Sequence, residues 1–317
     1  MKHKKDILYI LSLILLVMLY LISSTDLFYK EQETDIYQIS VILNETSDAI
    51  FENIKLGMKQ VDKEWTTEVT IVTLYEANHA EQQMKLVERE ITNGAEAIIL
   101  FPVDAELTKE YLIQENWNIP IICVGTYLPE QVVDVWIHGD ELARVQELGR
   151  KIIEDNLRFI YTIAPRIERS NVNQRLKGLK GVLEENNVGV ECLYYETEEE
   201  LVTLLRELNE KEIEPGLVAL DTMTLNLLMT QYRTLEEQNL YIYGIGYTSS
   251  LLSDLEKGLI QALSIHNDYD LGYLSLASAV ASLQHEKVAY DQKVIGGLIT
   301  KDNIYGTFYE KILFPIH

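Results

Sequence analysis

Residues able to hold a small polar molecule recur at one kind of position in this 317-residue chain, the loop just past a short apolar run. Asn44 follows the run at 39–43, and Tyr75 follows one that ends at Leu74. Tyr127 comes after 121–124, Asp221 after 217–220, Tyr247 after 241–245 and His266 after 262–265. An amide, a carboxylate and an imidazole at such points can hydrogen-bond a ligand, and three tyrosines at three run ends could line one cleft. Phe51 offers a flat apolar wall. Each also has a structural reading. Asn44 could close an Asx turn, Phe51 could pack in a core with Ile54 and Met58, and Asp221 could cap a helix. No Ser-His-Asp set, carboxylate pair or glycine-rich phosphate loop can be built from these spacings. The chemistry pointed to is binding rather than catalysis.

The elements that must position these residues repeat. Residues 38–57 read as strand, loop and helix: an apolar β-branched run, then Asn44 to Thr46, then Ser47 and Asp48 as capping candidates before Phe51, Ile54 and Met58 at helical spacing. The unit returns at intervals of roughly 25–35 residues, the length of a βα repeat. Continuous apolar runs at 97–101 and 121–124 suit strands buried on both faces. Gly94 stands where a left-handed helix cap is expected, and Asp104 and Asp140 precede helices as caps. A strand is expected at 132–137, and residues 294–298 resist assignment. Chains of this kind form parallel sheets and bind ligands at the carboxyl ends of their strands.

Length allows two domains. The formal charge of −23 opposes nucleic-acid binding, which needs cationic surface against phosphates. Cys123 and Cys192 lie in separate apolar runs and read as buried thiols rather than a disulfide. No metal-ligand spacing is present, so neither metal nor cofactor is expected. At the N-terminus, Lys2, Lys4 and Lys5 precede an uncharged stretch at 7–25 with an apolar centre at 7–22. A spanning helix takes roughly 20 residues, with about 17 near the minimum. The basic residues leave the short side in the cytoplasm and the bulk outside. A cleaved signal peptide is the alternative, but no A-x-A site follows the run.

The order of elements from residue 38 to about 300 resembles the type 1 periplasmic binding proteins, in particular the ribose- and galactose-binding group. The segments that carry this are Val41-Ile42-Leu43-Asn44 with Phe51, Ile98 through Asp104, Asn118-Ile119-Pro120, His138-Gly139-Asp140, Asn173 through Gly178, and Tyr243 through Thr248. The resemblance implies an α/β fold of two Rossmann-like lobes with parallel sheets, joined by a three-crossover hinge and preceded here by one transmembrane helix. The boundaries would be 1–36 for stub, anchor and tether, 37–139 plus 267–290 for the first lobe, and 140–266 plus 291–317 for the second. It places Asn44 and Phe51 at a sugar site, with Glu76 or Asn78 in the second polar loop and His266 where the lobes join. Several charged positions of the family are replaced: its aspartate–arginine pair falls on Gly125-Thr126, and the arginine opening the second-lobe helix falls on Asn173. The implied function is a membrane-anchored extracytoplasmic protein, not an enzyme, that closes on a small polar ligand. Its partner would be an ABC permease or a sensor histidine kinase. The alternative is a degenerate lobe pair serving as a ligand-independent protein-interaction module.

Overall fold

The computed structural model describes residues 2–24, 36–48, 51–76, 79–166, 170–211 and 215–314. The chain divides into two units, Met1–Ile36 and Tyr37–His317. The first contains helix α1 (Lys2–Ser24), whose large apolar side chains are exposed from Ile7 to Tyr20. Among the described residues no helix is long and apolar enough to cross a membrane. The transmembrane helix expected from the sequence is therefore not found among them.

In the larger unit strand and helix alternate. The first series is β1 (Tyr37–Ile42), α2 (Glu52–Asp62), β2 (Thr67–Val72), α3 (Ala80–Thr92), β3 (Ala97–Leu100), α4 (Ala105–Glu115), β4 (Ile121–Val124) and β5 (Val135–Gly139). The second begins with α5 (Glu141–Glu154), β6 (Phe159–Pro165), α6 (Ser170–Glu185), β7 (Gly189–Tyr195) and α7 (Glu198–Asn209). It continues through β8 (Gly216–Ala219), α8 (Thr222–Tyr232), β9 (Tyr241–Ile245), α9 (Ser249–Glu256) and β10 (Ile260–His266). The chain then adds α10 (Asp268–Leu283), β11 (Asp291–Val294), β12 (Gly296–Ile299) and α11 (Thr307–Leu313).

These form two six-stranded sheets, β11-β5-β4-β3-β1-β2 and β12-β10-β9-β8-β6-β7. All pairings are parallel except β10 with β12. Every residue of β3, β4 and β8 is buried, as strands covered by helices on both faces must be. Each sheet therefore has a core on either side, and the lobes are built alike. Asp104, Asp140 and Asp221 accept backbone N–H groups of Leu107, Ala143 and Thr224, so all three cap helices. Gly94 takes φ of 103°, past the end of α3. Helix α2 starts with Phe51 at its N-cap and no side-chain cap, so Ser47 and Asp48 do not open it. Strand β5 starts at Val135 rather than 132.

Three crossings join the lobes. The first follows Gly139, the second follows His266, and the third is Ile295 between β11 and β12. Val294 pairs with Gly139, Gly296 pairs with His266, and Asn267 N donates to the Ile295 carbonyl at 2.8 Å. The crossings are thus in direct contact. Because Asp291–Val294 pair with β5, the third crossing falls later than the boundary at 291 expected from the sequence.

Candidate functional site

The carboxyl ends of both sheets meet at a cavity of about 120 Å³. The first lobe contributes Asn44 after β1, Phe101 after β3, Thr126 after β4 and Phe51 at the start of α2. The second contributes Arg175 of α6, Asp221 after β8 and His266 at the end of β10. Asp268, the first residue of α10, sits beside the second crossing.

The first-lobe wall is part apolar. Phe51 and Phe101 pack edge to face, with ring centroids 5.3 Å apart and planes at 79°. Such rings suit the C–H faces of a carbohydrate or polyol. The loops that carry this wall are tied from behind by Gln83 of α3, which is fully buried. Its Nε2 donates to the carbonyls of Leu43 at 2.9 Å and Phe101 at 2.8 Å, and its Oε1 accepts from Val103 N at 2.9 Å. Cys123 Sγ donates to the Thr126 carbonyl at 3.0 Å, and burial pushes that thiol far above its usual range. Cys123 is therefore an inert buried thiol. Cys192 is also free but only half-buried, because β7 is an edge strand.

The second-lobe wall is ionic. Asp221 is committed within its own helix start: Oδ1 accepts from Thr224 N at 2.8 Å and Oδ2 from Thr224 Oγ1 at 2.6 Å. Arg175 donates from Nε to Glu141 Oε2 at 2.5 Å and from Nη1 to the Leu220 carbonyl at 2.8 Å. Glu141 also accepts from Arg144 Nη2 at 2.6 Å. His266 stands between carboxylates, with Nε2 3.9 Å from Glu141 Oε1 and Nδ1 3.1 Å from Asp268 Oδ1. Burial alone would raise the Glu141 carboxyl, but Arg144, Arg175 and His266 outweigh it and hold it well below the usual carboxylate range. Burial pulls Arg144 below the usual arginine range, against the pull of Glu141. Arg144 Nε and Nη1 have no hydrogen-bond partner among the described residues.

Residues 39–287 match the family described as periplasmic binding protein domain. The chain belongs to this family. No curated protein matches it at the level of sequence. It is similar in fold to an ABC transporter solute-binding protein from Agrobacterium vitis bound with α-D-tagatopyranose, at 15% identity, over 88% of this chain and 100% of that one, with a TM-score of 0.78. A carbohydrate transporter solute-binding protein from Agrobacterium radiobacter, in complex with D-arabinose, is similar at 14% identity over 88% and 99% of the two chains, with a TM-score of 0.79. An ABC transporter solute-binding protein from Bacillus halodurans with bound myo-inositol matches at 19% identity over 88% and 99%, with a TM-score of 0.73. These likenesses establish the two-lobed α/β fold. The family and these neighbours are binding proteins, not enzymes.

Within that family frame, the residues singled out from the sequence divide. Asn44, Phe51, Thr126, Asp221 and His266 come together on the cavity. Tyr127 lies outside its lining and packs edge to face on Trp136, centroids 4.9 Å apart. Tyr247 is buried off the cavity, where its hydroxyl receives Asn53 Nδ2 at 2.8 Å. Glu76 and Asn173 are exposed and outside the lining, and Asn78 lies outside the described residues. Arg175, two positions past Asn173, places a guanidinium on the cavity. It sits in the same first turns of α6, and its signal in the sequence is an arginine between buried Val172 and Leu179 on the core face of an amphipathic helix. Gln83 carries a similar signal, an amide beside Met84 and Val87 on the buried face of α3.

Proposed function

We propose that this chain is an extracytoplasmic solute-binding protein whose lobes close on a small, neutral, hydroxyl-bearing molecule. The observation that carries the reading is the cavity at the carboxyl ends of both sheets, where one lobe brings an aromatic corner and the other brings Arg175. Asn44, Thr126 and Arg175 supply hydrogen bonds to hydroxyls, and Phe51 and Phe101 cover the apolar face of the ligand. His266 and Asp268 report occupancy at the second crossing. Contacts made only in the closed state shift an open–closed equilibrium. The three structural neighbours hold a pyranose, a pentose and a cyclitol, which are ligands of this chemical class. The uncharged stretch 7–25 behind three lysines supports a membrane anchor with the binding lobes outside. An ABC permease is the partner favoured by the likeness to ABC transporter solute-binding proteins, and a sensor histidine kinase is the other partner suited to a tethered binding protein.

A second reading has its own support. Ligand pockets run from roughly 300 to 1,000 Å³, whereas this cavity measures about 120 Å³. A lobe pair held shut over so little space would present a fixed surface to a protein partner, independent of solute. Isothermal titration of the full-length protein with D-tagatose, D-arabinose, D-fucose and myo-inositol separates the two. Saturable binding of any of them supports the first reading. Silence from the whole panel, with partner capture unaffected by solute, supports the second.

A further inference from the structure

Glu141 does not line the cavity, yet it touches two side chains that do. It is the first residue of α5, just past the first crossing, and it is almost fully buried. We propose that Glu141 is a positioning residue: its carboxylate fixes the Arg175 guanidinium in the cavity wall and ties that wall to the hinge. The proposal rests on the reading of the cavity as a solute site.

The hydrogen bonds support this division of labour. Arg175 spends Nε on Glu141 and Nη1 on the Leu220 carbonyl, which leaves Nη2 without a protein partner among the described residues. An arginine held at two of its three nitrogens presents the third in one orientation. Leu220 alone cannot do this, because Arg144 and Arg175 are both buried and like-charged. Glu141 Oε2 lies between them and accepts from each, at 2.6 and 2.5 Å.

The hinge fixes Glu141 in turn. A Cβ on Gly139 would stand 3.2 Å from Glu141 Oε1 and 3.0 Å from His266 Cδ2. A Cβ on Gly296 would stand 2.3 Å from the Ile265 carbonyl and 2.5 Å from Arg144 Cδ. Glycines at the first and third crossings thus admit the ion cluster, and His266 joins it from the second. A displacement of any crossing moves the carboxylate, and the carboxylate moves Arg175.

Phenylglyoxal modification of the full-length protein, read by peptide mass spectrometry, tests the assignment. In the wild type Arg175 reacts slowly. In Glu141→Gln, and in Glu141→Gln/Arg144→Met where the lost negative charge is offset, Arg175 reacts at least tenfold faster. Arg233, paired with buried Asp254 in the same lobe, keeps its wild-type rate. Unchanged labelling of Arg175 in both variants overturns the proposal. So does an equal rise at Arg233 in both, which would mark a global structural role. Titration with D-arabinose and myo-inositol is the second arm, with affinity expected to fall at least tenfold in the variants. If the wild type binds neither, the solute reading of the cavity fails, while the labelling of Arg175 still decides the role of Glu141.

Discussion

Asn53 of α2 and Tyr247 after β9 bridge the two lobes, with Asn53 Nδ2 donating to Tyr247 Oη at 2.8 Å. The same amide reaches the Leu313 carbonyl of α11 at 3.3 Å, and the tyrosine hydroxyl donates to the Ile312 carbonyl at 3.2 Å. Burial first, then Asp268, raises the Tyr247 hydroxyl far above its usual range, so it stays protonated and able to donate. The contact joins the lobes away from the hinge, so under the proposed closing function it would favour the closed state. Tyr247→Phe removes it at little cost in packing. One hydrogen bond is worth about 1 kcal/mol, so solute affinity should fall about fivefold. Titration of wild type and variant with the same solute measures this; equal affinities would remove Tyr247 from the closing equilibrium.

Gln83 predicts a stability effect rather than a binding one. Gln83→Leu keeps the volume but strands the Leu43 and Phe101 carbonyls and the Val103 amide. Each buried group left unpaired costs about 1–3 kcal/mol, partly relieved by relaxation, so a loss of about 2–4 kcal/mol is expected. Urea unfolding reads it directly. A variant as stable as the wild type would mean that these loops are held by other contacts.

Close helix packing yields a third expectation. A Cβ on Gly57 of α2 would fall 2.0 Å from the Tyr269 carbonyl oxygen, and one on Gly272 of α10 would fall 1.9 Å from the Ile54 carbonyl oxygen. Backbone cannot rotate away as a side chain can. Gly57→Ala must push α2 from α10 and should cost at least about 1–3 kcal/mol, the usual range for overpacking. Thermal denaturation of Gly57→Ala against Gly181→Ala, which meets open space, isolates the effect.

The Glu141 cluster makes stability depend on pH in a definite direction. Its folded-state carboxyl lies below the unfolded value of about 4.3. A depressed acid contributes stability that is fully present above the unfolded value and is lost as pH falls toward the folded one. Removing one partner of a buried ion pair costs about 3–5 kcal/mol, so Glu141→Gln should be less stable than the wild type by about that much near neutrality. The gap should narrow between about pH 5 and pH 2. Urea midpoints across that range test it, and a gap that widens on acidification would reverse the sign assigned here.

Much of the fold could be read from the chain because its strands are short, β-branched and buried on both faces, while its helices carry clean apolar stripes. Residues 97–101 and 121–124 are instances. The return strands could not be read so easily. Asp291–Val294 and Gly296–Ile299 are four residues each, sit at sheet edges, and carry little alternation. Their assignment depends on partners more than a hundred residues away in β5 and, for β12, on β10. Placement on the cavity could be read where one loop determined it, as for Asn44 and Thr126. It was opaque where side-chain direction mattered. Tyr127 and Tyr247 occupy equivalent strand-end positions to residues on the cavity, but neighbouring side chains diverge, and these two turn to Trp136 and Asn53. Arg175 was hidden for another reason. It bonds Glu141, 34 positions earlier, and the Leu220 carbonyl, 45 positions later, and no local spacing announces either pairing.

The most direct test of the central claim is the distance between the lobes, measured by paired spin labels at exposed Lys85 and Lys257 after Cys192→Ser. Adding whichever of D-tagatose, D-arabinose, D-fucose or myo-inositol binds should collapse the distribution to a single shorter distance, and Arg175→Met should abolish that change. A distribution that is identical with and without every solute would contradict a protein that works by closing on one.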